Sequence, residues 1–528
     1  MRMTNKIMRN NSLYNINQNK ILEDKLTNQM TTQSKIARPS DDPVVAIRAL
    51  RLRTNVTYVT QYYEKNAEDA HQWLSMTSDA LTTIGDILKN LYEKATSAAD
   101  KDLTADDLDI ILTQMKSLTN EFYASGNVDY AGRYIFSGYR TDTAITFSAE
   151  DIKEMKEHPT TYIIKQKFGY SDIDSFNFTD YSVLTNGITG DGNGDGINDT
   201  TGESYEQGIT NTKIYRIRLA YDELDEGDGN FGFIGPDGNP VAVSRVPDDY
   251  GTAEDAYRAI ADGKEKGVVY IPSTGELIFS EDYYAAYKED ASFEVTYSKT
   301  YDENTSNWRE GDINPVHYFE CTQIKTIGEN EDGSKKTKEI RYNVDNVTTL
   351  PQDIYYDVGF NQKIQVNTLA SDVFTHDVQR DMDDFQRCIT QLRGIETQIS
   401  DIEKKMADYP EDSAEYKNLA QQKVAAEKAR TYIRENIHNQ FENQITKYQN
   451  YLDDANVADT NNASRGSRLD LISKRLMNQQ ATFKELQTDN ESIDVTQTAV
   501  ELTSSEMIYE AALLATSKIM QTNLMNYI

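Results

Sequence analysis

Cysteine is nearly absent: Cys321 and Cys388 are the only two in 528 residues, far apart and outside any CxxC or zinc-ligand spacing. That excludes a disulfide framework. No apolar run approaches the roughly 20 residues that cross a membrane as a helix. The opening MRMTNKIMRNNSLYNINQNK carries charge but no apolar h-region, so a cleaved secretory signal is not expected. Histidine is also scarce. His71, His158, His317, His376 and His438 never fall four apart, so no HExxH-type site exists. The phosphate-binding pattern GxxxxGK[ST] is missing. One GxGxxG occurs at Gly227, Gly229 and Gly232, but it follows DELDE and runs into the turn-forming FIGPDGNP, so it reads as a hairpin loop rather than a nucleotide site. No catalytic constellation is left, and an enzyme is not expected.

What is abundant is acid. The net charge of -32 is unevenly spread. Residues 1–140 hold 17 Lys/Arg against 17 Asp/Glu, residues 141–370 hold 20 against 43, and residues 371–528 hold 17 against 26. An acidic middle between near-balanced ends reads as a solvent-facing domain on a packed base. Nucleic acid is excluded as a partner, because it demands a basic face. Hydrophobic content of 38% and a mean hydropathy of -0.68 leave much of the chain in thin or exposed structure.

The ends are helical in pattern. Asp42 is a good N-cap and Pro43 a good first helical residue, since its missing N–H would be unsatisfied there anyway. From Leu52 the apolar positions step by three and four through Val56, Val59, Tyr63, Ala67, Ala70, Leu74, Leu81, Ile84, Leu88, Leu91, Ala95 and Ala98. Only Thr77 interrupts, and the extra step of four between Tyr63 and Ala67 is a stutter. A further helix is expected from about Thr104 to Ala124. At the other end, steps of seven from Ile472 give Gln479, Leu486, Ile493, Val500, Met507, Leu514, Gln521 and Ile528, mostly apolar and in one register. Leu469, Leu476 and Phe483 supply a second seam position, and another amphipathic helix runs from Tyr416 to Leu452.

Between these ends lie short strand-like runs: KIYRIRLAY, NPVAVSRV, GVVYIPSTGELIFS, ASFEVTYSKTY and KEIRYNV. The expected fold is mainly α, α+β overall. It is a long antiparallel helical coiled-coil rod formed by the N- and C-terminal segments (43–141 with 371–489), carrying a β-rich inserted domain (142–370). The insert is expected to be dispensable for the rod. Within it, DGNGDGIND sets Asp191, Asn193, Asp195 and Asp199 around Gly196, the start of a calcium loop. Position twelve is Gly202 with Glu203 one residue late, so Asp199 is the candidate closing ligand. A plain Gly/Asp-rich loop is the competing reading. No other cofactor is called for.

RPSDDPVVAIRAL resembles the N-terminal signature of the flagellar hook-filament junction proteins (hook-associated protein 3), within the flagellin superfamily. GRYIFSGYRTDTAITF, VGFNQKIQVNTLASDVF and the ending AALLATSKIMQTNLMNYI resemble the same family's exit to, return from and end beyond the variable domain. The resemblance implies a structural protein of the bacterial flagellum joining hook to filament. It implies terminal helices (1–42 with 490–528) paired in an inner assembly layer, with the Pro39–Pro43 break as the joint between layer and rod. It further implies a ring of copies, contacts to the hook-side junction protein and flagellin, and an extracellular place. Export would run through the type III apparatus with a chaperone and without a cleaved signal. Flagellin itself is the near alternative, although SDDPVVAIRAL and MNYI stand where flagellins typically have an Ala/Gly-rich KDDAAGLAI-like stretch and LLR. A secreted adhesin or carbohydrate-binding protein acting through the insert is the alternative of another class.

Overall fold

The computed structural model describes residues 5–188, 197–198, 204–227, 231–287, 291–301, 307–329, 335–343 and 352–522. The fold is mainly α, α+β overall. The long helices are α1 (Asn5–Thr32), α2 (Pro43–Thr60), α3 (Glu68–Ala98), α4 (Ala105–Ala124), α9 (Asp377–Met406), α10 (Ala414–Glu491) and α11 (Val495–Thr522). Short helices α5 (Ala149–Glu157), α6 (Val183–Asn186), α7 (Ala253–Ala261) and α8 (Glu281–Ala285) lie among the strands of the middle segment. The chain divides into two compact units. One comprises Met1–Gln72, Tyr355–Ile364 and Arg465–Ile528, the other Trp73–Ile354 and Gln365–Ser464. The insert therefore shares a unit with rod helices, whereas the sequence pattern separates layer, rod and insert.

In the first unit the Pro39–Pro43 break leads into a capped helix start. Asp42 accepts hydrogen bonds from the amides of Val44 at 2.9 Å and Val45 at 3.1 Å, with Pro43 as the first helical residue. Asp41 likewise ties back the amides of Ala37 and Arg38. The stutter has a physical form too, because residues Gln61–Ala67 are π-helical. A wider turn absorbs the extra residue, so the apolar stripe does not rotate off its partner. That partner is the end of α10, running antiparallel. Asn490 donates to the Val45 carbonyl, Arg53 grips Glu491 through two hydrogen bonds of 2.8 and 2.6 Å, and Gln480 donates to Thr60 and Glu64.

In the second unit the stripe is buried as expected: Ala70 of the preceding unit, then Leu74, Leu81, Ile84, Leu88, Leu91, Ala95 and Ala98 are all shielded. The interrupting Thr77 is buried too, its hydroxyl satisfied by the Trp73 carbonyl at 2.8 Å. Helices α3 and α10 run antiparallel, with Leu74 facing Asn462, Ser78 facing Asp459 and Ala99 facing His438. Helix α4 begins with the Thr104–Asp107 capping box and pairs antiparallel with α9 through Lys116–Gln386 and Tyr123–Thr375. Helix α9 also pairs with α10, where Phe385 stacks on Phe441 at 4.1 Å.

Two five-stranded sheets complete this unit. The first has the order β12-β11-β3-β10-β6, using β3 (Thr160–Gly169), β6 (Gly232–Ile234), β10 (Ser292–Thr300), β11 (Glu320–Glu329) and β12 (Lys335–Tyr342). The second has the order β4-β5-β9-β8-β7, using β4 (Asp174–Asp180), β5 (Thr210–Arg218), β7 (Ser244–Arg245), β8 (Val268–Ile271) and β9 (Glu276–Phe279). Among the described strands of these two sheets only β7 with β8 is parallel. Two-stranded ribbons β1 (Asp129–Tyr130) with β2 (Arg133–Tyr134), and β13 (Tyr355–Gly359) with β14 (Gln362–Gln365), precede and follow the two sheets in sequence. Gly275 in the β8–β9 turn has φ +61, and a Cβ there would sit 1.9 Å from the Tyr221 carbonyl oxygen. Only glycine lets that turn close against the Tyr221 backbone, in the segment that follows β5. Aromatic side chains including Phe147, Tyr162, Trp308, Phe279 and Phe293 fill the core between the sheets.

Candidate assembly surface and buried charge cluster

Helices α1 and α11 run antiparallel, hinged where Lys35 donates to the Glu491 carbonyl at 2.8 Å and Ser34 bridges Ser492. Their mutual seam is thin. On α1 it uses Ser12, Ile16, Asn19, Glu23, Leu26 and Met30, of which only Ile16 and Leu26 are buried. On α11 it uses Thr498, Leu502, Ser505, Tyr509 and Ala512. The richer apolar faces point away. Ile7, Leu13, Tyr14, Ile21 and Leu22 of α1 are exposed, as are Val500 at 66%, Met507 at 61% and Leu514 at 67% on α11. The seven-residue register thus has two fates. Ile472 is buried, with Leu469 and Leu476 beside it, whereas Leu486, Val500, Met507 and Leu514 face outward. Gln521 and Ile528 add nothing to this, since no side-chain placement is described there. An outward apolar stripe on two hinged helices is a surface that gains by being covered, each large side chain contributing roughly 1.5–3 kcal/mol on full burial.

The second unit holds a constellation that the sequence reading missed. Strand β5 alternates Ile214, Arg216 and Arg218 with Tyr215 and Ile217, which suggests one wet face. Instead Arg216 and Arg218 are buried under α9. Helix α9 answers with Asp377, Asp381 and Asp384, spaced four and three so that all lie on one face. Arg216 donates to Glu276 at 2.8 Å and to Asp384 at 2.5 Å. Arg218 reaches Asp381 at 2.6 Å, Asp384 at 2.9 Å and Asp377 at 3.1 Å. Arg387 closes the ring to Asp384 at 2.6 Å and Glu276 at 3.1 Å, and the Tyr257 hydroxyl donates to Glu276 at 2.7 Å. Lys447 of α10 stands 3.7 Å from both Asp174 and Asp381. Burial alone would push the Asp384 carboxyl up, but Arg216, Arg387 and Arg218 hold it well below the usual carboxylate range. Glu276 is lowered against the same burial by Arg387 and Arg216. The spacing of the α9 aspartates, set beside a strand with arginines two apart, was the available signal.

This cluster bears on the expectation that the insert is dispensable. Asp174, Arg216, Arg218 and Glu276 come from the insert, and Asp377, Asp381, Asp384, Arg387 and Lys447 come from the helices. Removing the insert would take Arg216 and Arg218 away from Asp377, Asp381 and Asp384 and uncover that face of α9, so the packing argues against a simple linker replacement. Beside the cluster lies a half-open cleft of about 800 Å³ between β3, the start of β11, α9 and α10. Its walls include Lys165, Lys167, Phe168, Tyr318, Phe319 and Tyr451.

The four candidate calcium ligands, Asp191, Asn193, Asp195 and Asp199, lie outside the described residues. Of that loop only Ile197 and Asn198 are described, Ile197 bridging Ser204. Among the described residues no group of three or more His, Cys, Asp or Glu is arranged to hold a metal ion. Residues 3–141 match the bacterial flagellin N-terminal helical region. The chain is 30% identical over 151 residues to flagellar hook-associated protein 3 of Escherichia coli (strain K12), a stretch covering 28% of this chain and 47% of that protein. It is 28% identical over 145 residues to the flagellar hook-associated protein 3 of Salmonella typhimurium, covering 27% and 45%. The match thus spans about half the length of these relatives. A crystal structure of Xanthomonas campestris FlgL overlays 82% of this chain and 98% of its own at 10% identity, with a TM-score of 0.29. The flagellar junction protein FlgL of Legionella pneumophila overlays 78% and 99% at 11% identity, with a TM-score of 0.20. Superpositions that loose carry no argument about the fold. Residues 3–141 of this chain thus match the bacterial flagellin N-terminal helical region, and a stretch of some 150 residues is similar to the hook-associated proteins 3.

Proposed function

We propose that the chain is a structural, non-catalytic component of the bacterial flagellum that joins hook to filament by assembling through its paired terminal helices. The observation that carries this is the outward apolar stripe on α1 and α11, Val500, Met507 and Leu514 foremost, on a chain whose N-terminal helices match flagellin. In this reading neighbouring copies in a ring cover the stripe. The 1–42 with 490–528 layer, the 43–141 with 371–489 rod and the 142–370 insert describe how the assembly uses the chain. The hook-side junction protein and flagellin flank the ring, and the subunit reaches the cell exterior unfolded through the type III apparatus with a chaperone. Calcium on Asp191, Asn193, Asp195 and Asp199 belongs to the same proposal as an accessory of the insert. Immunogold labelling of purified flagella tests the reading: a band at the distal end of the hook is expected. Label along the whole filament would make the chain a flagellin, and absence from flagella would overturn the proposal.

The cleft of about 800 Å³ favours a second reading, carbohydrate binding through the insert, since aromatic walls with charged rims suit sugar rings. Titration of the full chain with maltotriose and with chitotriose, without heat or chemical-shift change, would remove it.

A further inference from the structure

The ribbon β13–β14 carries at its two-residue tip a phenylalanine, Phe360, that is 87% exposed. Turn tips ordinarily take polar residues or glycine, and here Asn361 beside it supplies the left-handed φ of 56. The ribbon is firmly held. Asn66 donates to the Asp357 carbonyl at 2.7 Å, the Tyr356 hydroxyl donates to Asp69 at 2.6 Å, and Arg475 donates to Gln362. A pinned ribbon presenting a bare ring has already lost the freedom that docking would remove. Tyr355 and Asp357 lie on the same outer face as exposed residues, Asp357 with Lys363 3.7 Å away.

The same unit holds a surface that suits this knob. Helix α2 exposes Val44, Ile47 and Leu50 at steps of three, each more than half exposed. Exposed Arg48 and Arg51 lie beside them, and α2 contains no acidic residue. An aromatic face and a carboxylate thus meet apolar side chains fringed by guanidinium, which favours arginine over the ring and an ion pair with Asp357. The two surfaces cannot meet within one molecule. Ile47 and Asn66 are 19 residues apart on a continuous helix, about 28 Å at 1.5 Å per residue. Phe360 is three strand residues beyond the anchored Asp357, a reach of only about 10 Å.

We propose that Phe360 of one copy seats on the Val44–Ile47–Leu50 row of a neighbouring copy, a head-to-tail contact displaced along α2. Knob and seat are different patches of one chain, so the contact repeats from copy to copy and suits a closed ring. The inference rests on the assembly reading above, but its test is separate. In cells producing flagella, a photo-crosslinking benzoylphenylalanine replaces Phe360, and illuminated flagella are analysed by mass. The expected product is an adduct at twice the chain mass whose joined peptide falls within residues 43–60. No adduct, an adduct elsewhere on the chain, or one to a different protein overturns the contact. If that variant is not incorporated, the same crosslinker at Ile47 reads the contact from the other side and should capture residues 355–365, with loss of that adduct when Phe360→Asp is added. Failure here with an immunogold band still at the hook end removes the contact and leaves the junction role standing.

Discussion

Asp384→Asn is the sharpest test of how the insert is fastened to the helices. The substitution keeps shape and removes one charge from the centre of the cluster, where the carboxylate accepts from Arg216, Arg218 and Arg387 at 2.5, 2.9 and 2.6 Å. Breaking a buried ion pair by neutralising one partner costs about 3–5 kcal/mol, because the remaining charges stay buried. Two neighbours soften that loss: Glu276 still faces Arg216 at 2.8 Å, and Asp381 still faces Arg218 at 2.6 Å. The lower bound, about 3 kcal/mol, is therefore expected. With an unfolding entropy of about 2.1 cal/mol/K per residue over the roughly 380 residues of this unit, Tm should fall by about 4 °C. Urea unfolding followed by circular dichroism gives the free energy directly. The control is Arg393→Ala, which breaks pairs with Asp106 and Asp109 in which Arg393 is 48% and Asp106 86% exposed, and which should cost far less stability than Asp384→Asn. If the two variants lose equal stability, the cluster does not fasten the insert to the helices.

The pH response should have two stages. Burial, with Arg140 nearby, lowers His317 to about 4, so it stays neutral in the fold while the unfolded chain takes up a proton near 6.5. Its contribution is complete above pH 6.5 and shrinks as pH falls toward 4, about 2 kcal/mol between pH 7 and 5. Denaturant midpoints for His317→Asn should be flatter over that range. Asp384 and Glu276, held low by their arginines, contribute fully above about pH 4 and lose their contribution below it. Val500→Asp with Met507→Asp should leave the melting temperature of the purified chain within about 1 °C, because both side chains are exposed, yet should abolish filament attachment in swimming cells. An unchanged swimming rate would mean the stripe is not an assembly surface. Millimolar calcium should raise the melting temperature of the wild-type chain, and Asp191→Ala with Asp195→Ala should erase that rise.

Much of the helical architecture was legible because helices are local. The stripe from Val59 to Ala98 repeats every three or four residues, and those positions are buried apart from the half-buried Tyr63. The stutter at Tyr63–Ala67 became the π-helical stretch, and Asp42 and Thr104 cap the helices that follow them. The central strand β3 went unread, because Thr160–Gly169 is interrupted by lysines at 165 and 167 on its outer face. Two matters were decided only in the tertiary structure. The register through Ile472 and Val500 is continuous in sequence, yet one is buried and the other 66% exposed. Periodicity defines a face but not what covers it. Arg216 and Arg218 likewise look like the wet side of a strand until α9, some 160 residues later, lays Asp377, Asp381 and Asp384 over them. A charge reads as solvent-facing in any short window, because the groups that neutralise it are brought near by the fold and not by the chain.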